Sequence, residues 1–208
     1  MERTAPRHFS MLRGFHLADF FTLGNAGCGM GAVLFAMLYM ASGNAAHFFA
    51  AAALAPAAFI CDVLDGRIAR ARHQHSALGR ELDSLSDVIS FGVAPAALGF
   101  AAGLQGGWDA AVLLYFVCCG VSRLARFNVT AEQLADPGGK VKYFEGTPIP
   151  TSVVITAVLA VAQWRGHTGD ALWGGVFTLG AWDLHPLSLL FLLSGSLMIS
   201  KTLRIPKF

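Results

Sequence analysis

Residues 61–87, CDVLDGRIARARHQHSALGRELDSLSD, decide how this chain folds. They hold Asp62, Asp65, Asp83 and Asp87, four of the 13 acidic residues, and apolar segments long enough to enter a bilayer flank them on both sides. Carboxylates beside hydrocarbon are costly and call for protons, paired bases or bound cations. Asp62 and Asp65 are three positions apart and Asp83 and Asp87 four, so each pair shares one face if its segment is helical. Two such helix ends brought together make a cage of hard oxygen ligands, which suits Mg2+ or Mn2+.

The rest of the chain sets these acids in a membrane. Of 208 residues, 55% are hydrophobic and only 13% charged, against roughly 25% charged in a soluble domain. A net charge of +2 without a Lys/Arg run gives no reason to expect a nucleic-acid partner. Cys28, Cys61, Cys118 and Cys119 form no CxxC and no metal-finger spacing, and read as inert thiols in apolar segments. The opening MERTAPRHFSMLRGFHLAD lacks the apolar core and cleavage site of a signal peptide. Within it, residues 8–19 mix Phe9, Met11, Leu12, Phe15 and Leu17 with Arg13 and His16, the pattern of an amphipathic helix lying on a membrane surface.

Spanning segments are expected at about 20–41, 46–64, 82–104, 108–127, 149–165 and 186–202. Residues 166–185 are broken by Gly169, Gly174, Gly175, Gly180 and Asp183, and read as an interfacial loop. The fold class is therefore an all-α integral membrane protein of six helices. An interfacial segment (1–19) precedes one membrane domain (20–208). With the amino terminus inside, fourteen of the fifteen Lys/Arg fall on the inner face and only Arg165 outside, as the positive-inside rule expects. The same topology puts all four aspartates at the cytoplasmic face, Asp62 and Asp65 ending the second span and Asp83 and Asp87 beginning the third. Trp108, Trp164, Trp173 and Trp182 fall near outer span ends, as interfacial anchors do. His73 and His75 read as solvated loop residues, and His8, His16, His47, His167 and His185 show no ligand spacing.

The pattern D62-x2-D65-G66-x2-A69-R70-x8-G79-x3-D83-x3-D87 resembles the signature of the CDP-alcohol phosphotransferase family at every defining position. That family passes a CDP-activated group to an alcohol and releases CMP, usually within a six-helix membrane domain. The resemblance implies that Asp62, Asp65 and Asp83 ligate a two-metal centre. Asp87 would join the metal shell or act as general base, so that Asp83 and Asp87 stand at the catalytic step. Gly66, Ala69 and Gly79 would let the nucleotide approach the helices, and Arg70 would hold the pyrophosphate or the carboxylate cluster. The chemistry is sound on its own terms. Cations neutralise a pyrophosphate and improve the leaving group, and a positioned carboxylate takes the proton of an attacking alcohol.

The flanks TLGN (22–25), ELDSLSDVISFGVAPA (81–96), SRLARFN (122–128), YFEGTPIP (143–150) and LMISK (197–201) resemble the phosphatidylserine-forming branch of that family. This implies CDP-diacylglycerol and L-serine as substrates and suggests a homodimer. Many relatives carry Pro-Asn where this chain has Ala18-Asp19. Thr22 and Asn25, three apart, offer hydrogen bonds to ribose or phosphate, or help helices pack. Arg123 and Arg126 offer forks for a serine carboxylate or a lipid phosphate, with Asn128, Ser84, Ser86 and Ser90 nearby. Glycerol phosphate, an inositol compound or another amino alcohol remain alternative acceptors, and a cation transporter is the rival from another class. Gly146-Thr147-Pro148-Ile149-Pro150 fits a proline-set helix start.

Overall fold

The computed structural model describes residues 16–72, 77–133, 143–200, 202 and 204–206. The first helix, α1 (Leu17–Ser42), opens on a reciprocal cap. The His16 backbone N–H donates to Asp19 Oδ2 at 2.7 Å, while Asp19 N donates back to the His16 carbonyl at 3.1 Å. It ends at Gly43, whose φ of 67° is the left-handed conformation glycine adopts without strain. Asn44 then caps α2 (Ala45–Ala71) by accepting from Ala46 N at 3.0 Å. This two-residue connection forces α1 and α2 into a tight antiparallel pair, the most extensive contact between any two elements.

The third helical run is continuous but not uniform. Helix α3 (Ala77–Asp87) passes into a π-helical segment, Val88–Val93, and then α4 (Ala94–Ala102). Pro95 supplies the reason: it has no N–H to give the carbonyl four residues back, and its ring crowds that carbonyl, so the backbone widens there. This run is the centre of the molecule. In its most apolar window 61% of residues are buried, against 22–33% in the other three long helices. Gly29 of α1 lies so close to it that an added Cβ would stand 2.6 Å from Ser90 Cα.

Helix α5 (Gly107–Gln133) returns along the run, followed by strand β1 (Tyr143–Glu145) and a 3-10 turn, Ile149–Thr151, leading into α6 (Ser152–Trp164). A hairpin of β2 (Phe177–Leu179) and β3 (Trp182–Leu184) precedes α7 (Leu189–Ile199) and β4 (Arg204–Pro206). Strand β1 pairs antiparallel with β4 and β2 with β3. Gly195 lets α7 close on α5, where Phe116 and Phe191 meet edge to face at 5.2 Å.

Several expectations change. The fold is mostly helical, but two small ribbons replace a purely α architecture. Among the described residues four helices are long and apolar enough to cross a membrane: Leu17–Ser42, Ala45–Ala71, Leu78–Ala102 and Gly107–Val129. The last two expected spans are shorter apolar helices, Ile149–Trp164 and Pro186–Ile199. Prolines at 148, 150 and 186 fix where these helices start, and the chain outside them is spent in turns and ribbons. The expected amphipathic segment, with His73 and His75, lies largely outside the described residues; Leu17 to Asp19 belong to α1. Residues 166–185 hold a 3-10 turn and the β2–β3 hairpin, with no long helix.

His185 is no idle histidine. Fully buried Asp109 accepts from Gly106 N at 3.0 Å, from His185 N at 2.8 Å and meets His185 Nδ1 at 2.6 Å. This clamp ties the hairpin to the start of α5. Trp108 strengthens the same junction, packing against Trp182 and donating to the Leu179 carbonyl at 3.0 Å.

The Gly29–Ser90 contact leaves no room for a side chain. Gly29→Val is expected to cost about 1–3 kcal/mol or more through overpacking, read as a lower melting temperature in detergent. An unchanged melting temperature would show that α1 does not seat on the π segment this closely.

Candidate active site

Three helices converge at one end of the bundle, and each brings a different kind of group. Helix α2 contributes Asp62 and Asp65, here internal to the helix and not at its end. Arg67, Ile68, Ala69, Arg70 and Ala71 are helix-compatible and carry α2 on for two further turns. The expected arginine-rich loop is correspondingly short: Arg67 and Arg70 lie in α2, Arg72 caps it, and Arg80 belongs to α3. Helix α3 brings Asp83 and Asp87, and α1 lays Thr22 and Asn25 across both pairs.

Asp62, Asp83 and Asp87 each offer a carboxylate oxygen, and these atoms lie within 4.8 Å of one another. Two like charges at that separation repel by about 1–3 kcal/mol at effective dielectrics of 80 to 20, so the arrangement calls for a cation. Its dimensions fit one. Oxygens on opposite sides of an octahedral Mg2+ stand about 4.2 Å apart, a small contraction from the separation here. Asp83 Oδ1 is also buried without a hydrogen-bond partner, as a ligand atom awaiting a metal would be.

Asp65 is turned differently. Buried at 5% exposure, it accepts a hydrogen bond from Thr22 Oγ1 at 2.8 Å, and stays in electrostatic contact with Asp62, Asp83 and Asp87. Asn25 Nδ2 donates to Asp87 Oδ1 at 3.2 Å, and Ser90 Oγ donates to the Asn25 carbonyl at 2.7 Å. Thr22 and Asn25 therefore orient carboxylates directly. Their spacing alone is compatible both with hydrogen bonds to ribose or phosphate and with helix packing. Ser90, expected in an acceptor pocket, uses its hydroxyl to join α1 to the π segment.

The cations are distributed unevenly. Arg70 acts electrostatically on Asp65, and its guanidinium lies over Gly66, where an added Cβ would meet Nη1 at 3.4 Å. Gly66, Ala69 and Gly79 are half-buried small positions on α2 and α3. Arg123 of α5 is 8% exposed, faces Asp87 electrostatically, and has a buried Nε without a hydrogen-bond partner. Arg126 diverges from it and reaches the Ile199 carbonyl at 3.5 Å. Asn128 and Ser84 hydrogen-bond each other at 3.0–3.2 Å, and Asn128 Nδ2 also approaches both carboxylate oxygens of Glu81 at 3.4 Å. Ser86 is buried in the same helix.

Two residues, named in the sequence only within Ala18-Asp19 and within the proline-set segment 146–150, are placed more sharply here. Asp19, 4% exposed, caps α1 beside Asp65; its signal was the acidic residue three positions after the chain's turn at His16. Thr147 carries a buried hydroxyl without a hydrogen-bond partner beneath the end of α7, and only tertiary packing could disclose it.

A family model described as CDP-alcohol phosphatidyltransferase matches residues 15–185. The chain is 42% identical over 208 residues to a Saccharomyces cerevisiae protein named CDP-diacylglycerol–serine O-phosphatidyltransferase, covering 96% of this chain and 74% of that one. A Helicobacter pylori protein of the same name is 35% identical over 192 residues, covering 91% and 71%. A Mycobacterium leprae protein, again of that name, is 41% identical over 136 residues, 64% of this chain and 44% of its own. The chain thus spans less than half of the mycobacterial relative.

Removing one ligand should be legible in metal binding alone. Asp83→Asn is expected to weaken Mn2+ binding, followed by electron paramagnetic resonance, by more than about tenfold, and Asn25→Ala, which frees a ligand's hydrogen bond, by about tenfold. Wild-type affinity in both variants would remove the case for a metal here.

Proposed function

The chain belongs to the CDP-alcohol phosphatidyltransferase family, and we propose that it transfers the phosphatidyl group of CDP-diacylglycerol to the hydroxyl of L-serine, giving phosphatidylserine and CMP. The observation that carries the chemistry is the shared approach of the Asp62, Asp83 and Asp87 carboxylates. The serine acceptor draws its support from the names of the relatives and from Arg123, a buried cation suited to an acceptor carboxylate.

Asp62, Asp65, Asp83 and Asp87 would hold two divalent cations, Mg2+ or Mn2+. When bound, these neutralise the pyrophosphate and make CMP a better leaving group.

The chain's own residues do the rest. Asn25 fixes Asp87 through its 3.2 Å bond, and Thr22 fixes Asp65. Gly66, Ala69 and Gly79 keep the helix faces low on the nucleotide side, and Arg70 meets its phosphates. Asp87 takes the proton of the serine hydroxyl as that oxygen attacks the lipid-side phosphorus. A new O–P bond forms, the pyrophosphate O–P bond breaks, and CMP leaves with the electron pair. Arg123 holds the serine carboxylate, while Ser84 and Asn128 border the pocket; Arg126 and Ser90 support it from further away.

The protein crosses the membrane six times in this reading, with the aspartates at the cytoplasmic face, where soluble serine arrives. The Lys/Arg distribution supports that orientation. The two shorter apolar helices, with their 3-10 turns, reach roughly 23–26 Å, and local thinning accommodates the difference from a hydrocarbon core of about 30 Å. Residues 20–208 form the membrane domain, and family resemblance supports a homodimer.

Purified protein given CDP-diacylglycerol, Mg2+ or Mn2+ and a panel of acceptors should release CMP in a serine-dependent manner. Clear preference for glycerol phosphate or inositol phosphate would overturn the acceptor. Asp87→Asn should lower kcat by about 10^2- to 10^4-fold even at saturating metal and CDP-diacylglycerol. Full turnover would sink the assignment of Asp87 as base.

A further inference from the structure

The proline-set segment 146–150 has no part in the chemistry above, yet one of its side chains reaches between two walls of the site. Ile149 opens the 3-10 turn before α6 and is fully buried. An added Cβ on Gly120 of α5 would stand 2.8 Å from Ile149 Cδ1, and one on Gly92 of the π segment 3.9 Å from the same atom. The tip of Ile149 therefore fills the space that two glycines leave between α5 and the run carrying Asp87. Its own segment is held from behind. Thr147 N donates to the Leu197 carbonyl at 3.2 Å, Gly146 (φ 73°) lies against the Met198 carbonyl, and Pro148 and Pro150 restrict the backbone on either side.

Helix periodicity sets the level of that plug. Gly120 and Arg123 are three apart on one face of α5. Asp87 and Gly92 are five apart across the π segment, and i→i+5 is the spacing of one π turn. The two helical runs are antiparallel, so both glycines lie about one turn, roughly 5 Å, deeper in the bundle than Asp87 and Arg123. Those two face each other electrostatically above them. An acceptor with its carboxylate on Arg123 and its hydroxyl turned to Asp87 bridges the two walls, and its middle carbons lie over Ile149. Serine suits such a floor because those carbons carry no further alkyl group. A methyl directed into the bundle would run into the side chain that already fills the gap.

We propose that Ile149 is the floor of the acceptor pocket and the residue that restricts transfer to a hydroxy amino acid without a branching methyl. This rests on the serine reading above. The test compares kcat/KM for L-serine, L-threonine and L-allo-threonine at saturating metal and CDP-diacylglycerol. The two threonines carry their methyl groups in opposite directions from the hydroxyl-bearing carbon, so only one directs it at the floor. Ile149→Ala is expected to raise kcat/KM for that one diastereomer, relative to L-serine, by about tenfold or more. The other diastereomer should keep its standing against L-serine, and Mn2+ affinity and the KM for CDP-diacylglycerol should match the wild type. Ile149→Val, which removes Cδ1 alone, should shift selectivity the same way by less, and it serves where the alanine variant fails to fold. Gly120→Ala forces Cδ1 aside and should lower kcat/KM for L-serine, and adding Ile149→Val should restore it. Unchanged selectivity in variants that bind Mn2+ as the wild type does, or equal gains for both diastereomers, overturns the role of Ile149 while serine-dependent turnover of the wild type stands. A wild type that prefers glycerol phosphate or inositol phosphate overturns the serine reading itself, and this inference with it.

Discussion

Like-charge repulsion is the constraint on which the rest of this structure depends. Asp62, Asp83 and Asp87 come within 4.8 Å, with Asp65 buried beside them, in a bundle whose other walls are mostly hydrocarbon. No unfolded chain would gather them. They are held because apolar packing of α1, α2 and the α3–α4 run outweighs their mutual repulsion, and because two neutral donors, Thr22 and Asn25, tie Asp65 and Asp87 to α1. The site is strained toward a cation by construction. A folded protein with such a cage binds a divalent ion more tightly than the free carboxylates would, because the cost of assembling them is already met.

Holding the cage fixed requires backbone contacts closer than ordinary side chains permit. The two-residue turn at Gly43-Asn44 makes α1 follow α2 rigidly, so Thr22 and Asn25 keep their places against the aspartates. The π segment before Pro95 presents Ser90 to the Asn25 carbonyl at the level where Gly29 has no side chain. A π bulge re-aims the residues that follow it, so the turn carrying Asp83 and Asp87 and the buried turns of α4 need not keep one helical phase. Proline and glycine, unremarkable in composition, here set the orientation of charged groups a turn or more away.

The sequence made the chemistry easier to see than the architecture. Asp62, Asp65, Asp83 and Asp87 were legible because spacing on a helix face is a local property. So were the four long helices, whose apolar runs exceed any turn signal. The helix ends were not. Nothing between Asp65 and Ala71 stops a helix, but a hydropathy window reads arginines as the end of a span, which left Asp62 and Asp65 at an apparent terminus. Partners distant in sequence were equally hidden: Thr22 with Asp65 is 43 residues apart, and Asp109 with His185 is 76. Spacing placed Arg123 and Arg126 on one face, yet only Arg123 is drawn inward, because Arg126 meets the last carbonyls of α7. The place of Asp19 at the start of α1 is explained by capping.

Helix length then decides where two unlike substrates can meet. Helix α2 has 27 residues, about 40 Å at 1.5 Å per residue, against a hydrocarbon core of about 30 Å. If its apolar first turns begin at one boundary, Asp62 and Asp65 fall near the other, about 26 and 30 Å along. That is the depth of a phospholipid's phosphates. A shallower cage would leave the lipid pyrophosphate out of reach, and a deeper one would require serine to shed its hydration and enter hydrocarbon as a zwitterion. The final turns of α2, which carry Arg67 and Arg70 past the aspartates, are what keep the helix intact at that boundary, so that carboxylates can stand at the edge of the membrane on a rigid element instead of a loop.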